Sequence, residues 1–160
     1  MKSRLVLPLL FSLLSSLAQA QTSVQPITVQ TARGAVIGSQ TNVNTFLGLP
    51  YAAPPVGALR WTAPQPPASW NTPRAAINFG PECPQAVIGL FALPGETPGQ
   101  VKGQEDCLYL NVYAPKNATP QSRLPVMFWI HGGAFTAGSS AAYDGSVLAE
   151  RDGIVVVTIN

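Results

Sequence analysis

The chain has 160 residues, 46% of them hydrophobic and only 10% charged, with nine Lys+Arg against seven Asp+Glu. Two of the basic residues, Lys2 and Arg4, stand in the first few positions, so the remainder is formally neutral. It keeps no Lys/Arg stripe with which to attract nucleic acid or an anionic membrane. Few charges and sixteen prolines suggest a loop-rich surface around an apolar interior.

In chain order, Lys2 and Arg4 form a basic opening, Leu5 to Leu17 an apolar core, and Ala18-Gln19-Ala20 a small-x-small cleavage site. Residues 1–20 therefore read as a secretory signal peptide cut after Ala20, and the expected location is secreted or periplasmic. The apolar core is short and interrupted by serines, which does not suit a membrane span. Residues 21–26 are expected to be a mobile mature terminus.

Ile27 to Gln30 and Gly34 to Gly38 carry β-branched residues around Thr31-Ala32-Arg33, which predicts an antiparallel hairpin. Thr45 to Tyr51 is a further extended piece. From Pro50 to Pro73 the proline density rules out a regular helix or central strand. Two tryptophans in that stretch, Trp61 and Trp70, suggest an ordered loop pinned by its aromatics.

Cys83 and Cys107 are the only cysteines, and an even pair in an exported chain reads as one disulfide, with two free buried thiols as the alternative. A loop of about 25 residues closed in this way is worth on the order of 3 kcal/mol. Inside it, Val87 to Leu93 reads either as a short helical turn or as tucked-in apolar residues. No metal site is expected, because the sole histidine, His131, sits in a glycine motif.

Leu108 to Tyr113 alternates aliphatic with polar-tipped residues and predicts a strand with two different faces, ended by Pro115. Asn117-Ala118-Thr119 matches a glycosylation sequon, weakened by Pro120. Val126 to Ile130 is wholly apolar and reads as a strand buried on both faces. A helix is expected from about Gly145 to Arg151, with Asp144 as N-cap and Gly153 just beyond its end. The apolar run Ile154 to Ile159 completes a strand–loop–helix–strand unit, which should place the two strands parallel through a right-handed crossover. A finished domain seldom ends on such a run, so the chain is expected to be the amino-terminal part of something longer.

The stretch that carries chemistry is His131-Gly132-Gly133-Ala134-Phe135, at the carboxyl end of the Val126–Ile130 strand. Glycines there let the backbone turn sharply and leave its N–H groups unobstructed. The amides of Gly133 and Ala134 could then stabilise the oxyanion of an acyl-transfer intermediate, with Gly132 providing the turn.

Three ordered motifs resemble the type B carboxylesterases, the family that includes cholinesterases and related lipases. They are Phe46-Leu47-Gly48-Leu49-Pro50-Tyr51-Ala52 with Leu59-Arg60-Trp61, then Glu105-Asp106-Cys107-Leu108-Tyr109-Leu110-Asn111-Val112, then His131-Gly132-Gly133-Ala134-Phe135. The resemblance implies the amino-terminal part of an α/β-hydrolase fold, with a mixed, mostly parallel central sheet and an antiparallel hairpin at its start. It implies hydrolysis of small-molecule carboxylic esters through a serine acyl-enzyme, with no cofactor. It assigns the oxyanion donors to Gly133 and Ala134, pairs Cys83 with Cys107, and suggests a structural salt bridge between Arg60 and Glu105.

The chain departs from the family in several ways. No tryptophan lies between Cys83 and Cys107, which argues against a choline ester, and Ala134 stands where relatives often have a third glycine. No Gly-x-Ser-x-Gly occurs, and Gly138-Ser139-Ser140-Ala141-Ala142 comes nearest. The nucleophile, triad acid and triad histidine are therefore expected after Asn160, where the fold places the next strand and its elbow. That strand should pair with residues 126–130. The alternatives are a cholinesterase-like binding domain without catalysis and an inert truncated product.

Overall fold

The structure, a computed structural model, describes residues 23–92 and 94–160. The expected signal peptide lies outside the described residues. The frame is one mixed sheet built from β1 (Gln25–Thr31), β2 (Gly34–Gln40), β3 (Val43–Pro50), the two-residue β4 (Arg74–Ala75), β7 (Tyr109–Pro115), β8 (Val126–Ile130) and β9 (Val155–Ile159), with β5 (Gln85–Ala86) and β6 (Val101–Lys102) forming a separate ribbon. Strand order is β1-β2-β3-β7-β9-β8, with β4 beside β2.

The sheet begins with the expected hairpin, β1 against β2, turning at residues 32–33 and already ordered from Gln25. Antiparallel pairs dominate this portion, and the parallel ones are β8–β9 and the short β2–β4 contact. The helix α1 (Ser146–Asp152) joins β8 to β9, which run parallel from Val126↔Val155 to Ile130↔Ile159. Its N-cap position falls on Gly145. Asp144, one residue earlier, accepts the Ser146 amide at 2.8 Å, and Gly153 closes the helix in a left-handed conformation.

Two small cores lie on opposite faces of the sheet. Val43, Tyr113, Val156 and Ala149 of α1 form one, with Leu47, Leu148 and Ile154 around it. Val36, Phe46 and Ala76 form the other, supported by Ile27, Leu49, Val112 and Trp70. Adjacent residues Val112 and Tyr113 serve different cores, as strand alternation requires. Between Phe46 and Leu49 the β3–β7 register shifts at a bulge. Gly48 occupies it with φ +66°, where an added Cβ would meet the Asn78 carbonyl at 2.5 Å.

Two expectations need correction. The strand Val126–Ile130 is not buried on both faces: its five side chains are 39–70% exposed. It is the terminal strand of the described sheet, hydrogen-bonded to β9 alone, so its apolar side chains lack the cover their composition suits. Trp61 does not pin its loop, being 98% exposed on a left-handed backbone with φ 62°. Trp70 does so instead, donating through Nε1 to the Ala35 carbonyl at 2.7 Å and through its amide to the Arg33 carbonyl at 2.8 Å. Among the described residues no helix is long and apolar enough to cross a membrane.

Candidate active site

The loop leaving β8 folds back on itself. The Gly133 carbonyl accepts from the Thr136 amide at 2.9 Å, the Ala137 amide at 3.1 Å and the Thr136 hydroxyl at 3.0 Å. This concentration of donors on one carbonyl sets the loop's shape. Left-handed backbone falls on Gly133 (φ 135°), Ala134 (φ 52°) and Phe135 (φ 60°), whereas Gly132 lies ahead of the left-handed run. Two non-glycine residues in that region are costly, on the order of 1 kcal/mol or more each. At Gly133 no side chain is possible: a Cβ would sit 1.5 Å from the Ala137 carbonyl oxygen.

The amides of Gly133 and Ala134 donate to nothing among the described residues. Both residues are exposed and line a cavity of about 590 Å3. The disulfide loop contributes Ala86, Val87, Ile88, Glu96 and Lys102 to the lining, and Ser139, Ala142 and Tyr143 line the cavity as well. Lys102 bridges Glu96 at 2.9 Å and Glu82 at 3.1 Å, and these two hydrogen bonds, Glu96 first, raise its pKa. His131 is half-buried, and its Nδ1 contacts the Gly132 carbonyl at 2.8 Å, which requires Nδ1 to carry the proton because a carbonyl only accepts. This contact braces the turn.

Cys83 and Cys107 are joined by a disulfide. It anchors the loop at the start of β7. Between the two cysteines, Gly89–Phe91 forms a 3-10 turn, Val87 is buried and Leu90 is exposed, while Leu93 lies outside the described residues. Arg60 Nη2 contacts Glu105 Oε1 on the surface, away from the glycine loop. Among the described residues no group of three or more His, Cys, Asp or Glu is placed to hold a metal.

Sequence reasoning missed several polar residues that shape the site. Asn111 and Thr158 are buried beneath it, Asn160 Oδ1 accepts from the Ser140 amide and hydroxyl at 2.8 Å each, and Gln85 reaches the glycine loop from the disulfide loop. A polar residue inside an otherwise apolar strand was the available signal for Asn111 and Thr158. Gln85 carries no comparable mark.

Residues 25–160 match the family model described as Carboxylesterase family. The chain belongs to that family. As a carboxylesterase-family segment it is 46% identical over 154 residues to a medium-chain fatty acyl-CoA hydrolase precursor of Anas platyrhynchos, a match covering 89% of this chain and 28% of that protein. It is 47% identical over 143 residues to the fumonisin B1 esterase of Sphingopyxis macrogoltabida, covering 88% and 25%. Among solved structures, a PNB esterase superposes with a TM-score of 0.71 at 46% identity, covering 83% of this chain and 27% of that one. Aspergillus niger EstA gives 0.67 at 39%, covering 84% and 25%. The segment therefore corresponds to the amino-terminal part of an α/β-hydrolase fold and spans little more than a quarter of the length of these relatives.

Proposed function

We propose that this segment supplies the oxyanion-binding loop and one cavity wall of a serine carboxylesterase whose nucleophile, triad acid and triad histidine lie beyond residue 160. The observation that carries the reading is the pair of undonated amides, Gly133 and Ala134, on the wall of a cavity large enough for a small ester. Attack of a serine oxygen on the ester carbonyl moves an electron pair onto the carbonyl oxygen while a histidine takes the serine proton. That oxygen becomes the oxyanion. The amides of Gly133 and Ala134 stabilise it, each worth roughly 3 to 4 kcal/mol in comparable sites. Collapse expels the alcohol with the proton from histidine, and water then repeats the sequence on the acyl-enzyme.

Export fits this reading, because the Cys83–Cys107 bond suits an oxidising compartment. The substrate is a small-molecule carboxylic ester, and no step requires a cofactor. The test is to read the gene in frame past the Asn160 codon and to treat the whole protein with a fluorophosphonate. A Gly-x-Ser-x-Gly whose serine is labelled, together with turnover of p-nitrophenyl esters, is expected. A stop codon directly after Asn160 in independent genomic DNA overturns the reading.

A further inference from the structure

We infer that Gln85 is a positioning residue for the oxyanion amides, locking the glycine loop to the disulfide loop; the inference rests on the ester-hydrolase reading above. Gln85 opens β5, two residues after Cys83. Its Oε1 accepts the Gly138 amide at 2.7 Å, while its Nε2 donates to the Gly138 carbonyl at 3.1 Å. One carboxamide thus pairs with both backbone groups of a single residue, reproducing a strand–strand pair across 53 positions of sequence. The same Nε2 lies 3.2 Å from the Cys83 carbonyl and 3.4 Å from Glu82 Oε2. No other neutral side chain of this length both donates and accepts in this way.

Gly138 is the far end of the turn that presents the amides. Its neighbour Ala137 donates to the Gly133 carbonyl, and a Cβ on Gly138 would lie 2.6 Å from both the Gly132 carbonyl and His131 Nδ1. Holding Gly138 therefore holds Gly132 and Gly133. A second anchor follows at once, as the Ser139 hydroxyl donates to Glu82 Oε1 at 3.2 Å. At the other end, Cys83 is tied to Cys107 at the start of β7. The linkage runs from the sheet through the disulfide and Gln85 to Gly138, and from there to the amides of Gly133 and Ala134. Oxyanion donors act over a few tenths of an ångström, so loss of such an anchor falls on the transition state more than on ester binding.

The experiment uses the whole active-site-titrated protein and two variants. Gln85→Met keeps the length and removes both hydrogen bonds. It is expected to lower kcat about 10- to 100-fold with KM changed less than about 3-fold, and to weaken a trifluoromethyl ketone inhibitor by the same factor as kcat/KM. Gln85→Glu accepts from the Gly138 amide when ionised but cannot donate to its carbonyl; protonated, it does both. The titratable groups around it are Glu82, in contact with the Gln85 amide, Lys102 and Glu96 paired nearby, and His131 beside Gly138. The ratio of its kcat to that of the wild type should therefore rise as pH falls. A Gln85→Met protein with lowered Tm but unchanged kcat per titrated site and unchanged inhibitor affinity overturns the proposal. If the wild type itself turns over no ester, the ester-hydrolase reading fails instead, and exchange of the Gly138 amide, expected at least about tenfold faster in Gln85→Met, still reports on the lock.

Discussion

Asn111 and Thr158 stand directly opposite one another on β7 and β9, and the Asn111 Nδ2 donates to the Thr158 hydroxyl at 3.0 Å, each residue 1% exposed. The same Nδ2 donates to the Ser140 hydroxyl at 2.9 Å, and Oδ1 accepts the Gly48 amide at 3.0 Å. One side chain thus satisfies the β3 bulge, the β9 strand and the turn beneath the cavity. Asn111→Leu would leave the Gly48 amide without an acceptor in the interior. A loss of roughly 1 to 3 kcal/mol is expected from the midpoint of urea unfolding. A change under about 0.5 kcal/mol would show that water replaces the amide freely.

The two glycines after His131 should respond differently to the same substitution. Gly133→Ala forces a Cβ onto the Ala137 carbonyl and strains a backbone at φ +135°, so the turn must open. Turnover by the whole protein is expected to fall about 100- to 1000-fold, the effect of losing one oxyanion donor. An added Cβ at Gly132 meets no heavy atom within 4 Å. Gly132→Ala should therefore stay within about 0.5 kcal/mol of the wild type in stability. Equal loss of turnover in both variants, with both folded, would contradict this division of labour.

Much of this contrast was legible in the residues, and some was not. Alternation ended by Pro115 marked β7, apolar runs marked β8 and β9, the flanking Asp144 and Gly153 marked α1, and the β-branched runs marked the first hairpin. Composition says which faces want cover, and Val126–Ile130, read as buried, is the terminal strand of the described sheet with its residues exposed. Trp61 failed for a similar reason, since aromatic content does not fix the direction of a ring on a left-handed backbone. The two-residue strands β4, β5 and β6 are too short to show a period. Gln85 and Gly138 meet across 53 residues through a polar pair, and no periodicity announces such a contact.

The disulfide and the Arg60–Glu105 pair both tie the loop region to its surroundings, but they should differ severalfold in worth. Removing both cysteines as serine is expected to cost about 3 kcal/mol, from a separation of 24 residues. The Arg60 and Glu105 side chains are 54% and 40% exposed, and water screens such a pair to about 1 kcal/mol or less. Arg60→Ala should lower Tm slightly and leave turnover intact. Loss of turnover with unchanged melting would place Arg60 in the chemistry instead.

Alkaline pH should weaken the fold through Tyr113. Burial pushes its phenol up to about 12, and the nearby charge of Asp144 adds to the shift. In the unfolded chain the same group ionises near 10. Between those values the unfolded state has released a proton that the folded state retains, so unfolding becomes easier as pH rises. The stability associated with the neutral phenol is complete below pH 10 and is lost as pH climbs toward about 12. Lys102, Tyr51 and Tyr109 are also raised and slope the same way, so the wild-type curve alone does not isolate Tyr113. Tyr113→Phe keeps the buried ring and removes its titration. Its Tm should decline less steeply than that of the wild type above pH 10, and parallel curves would place the alkaline loss in the other groups.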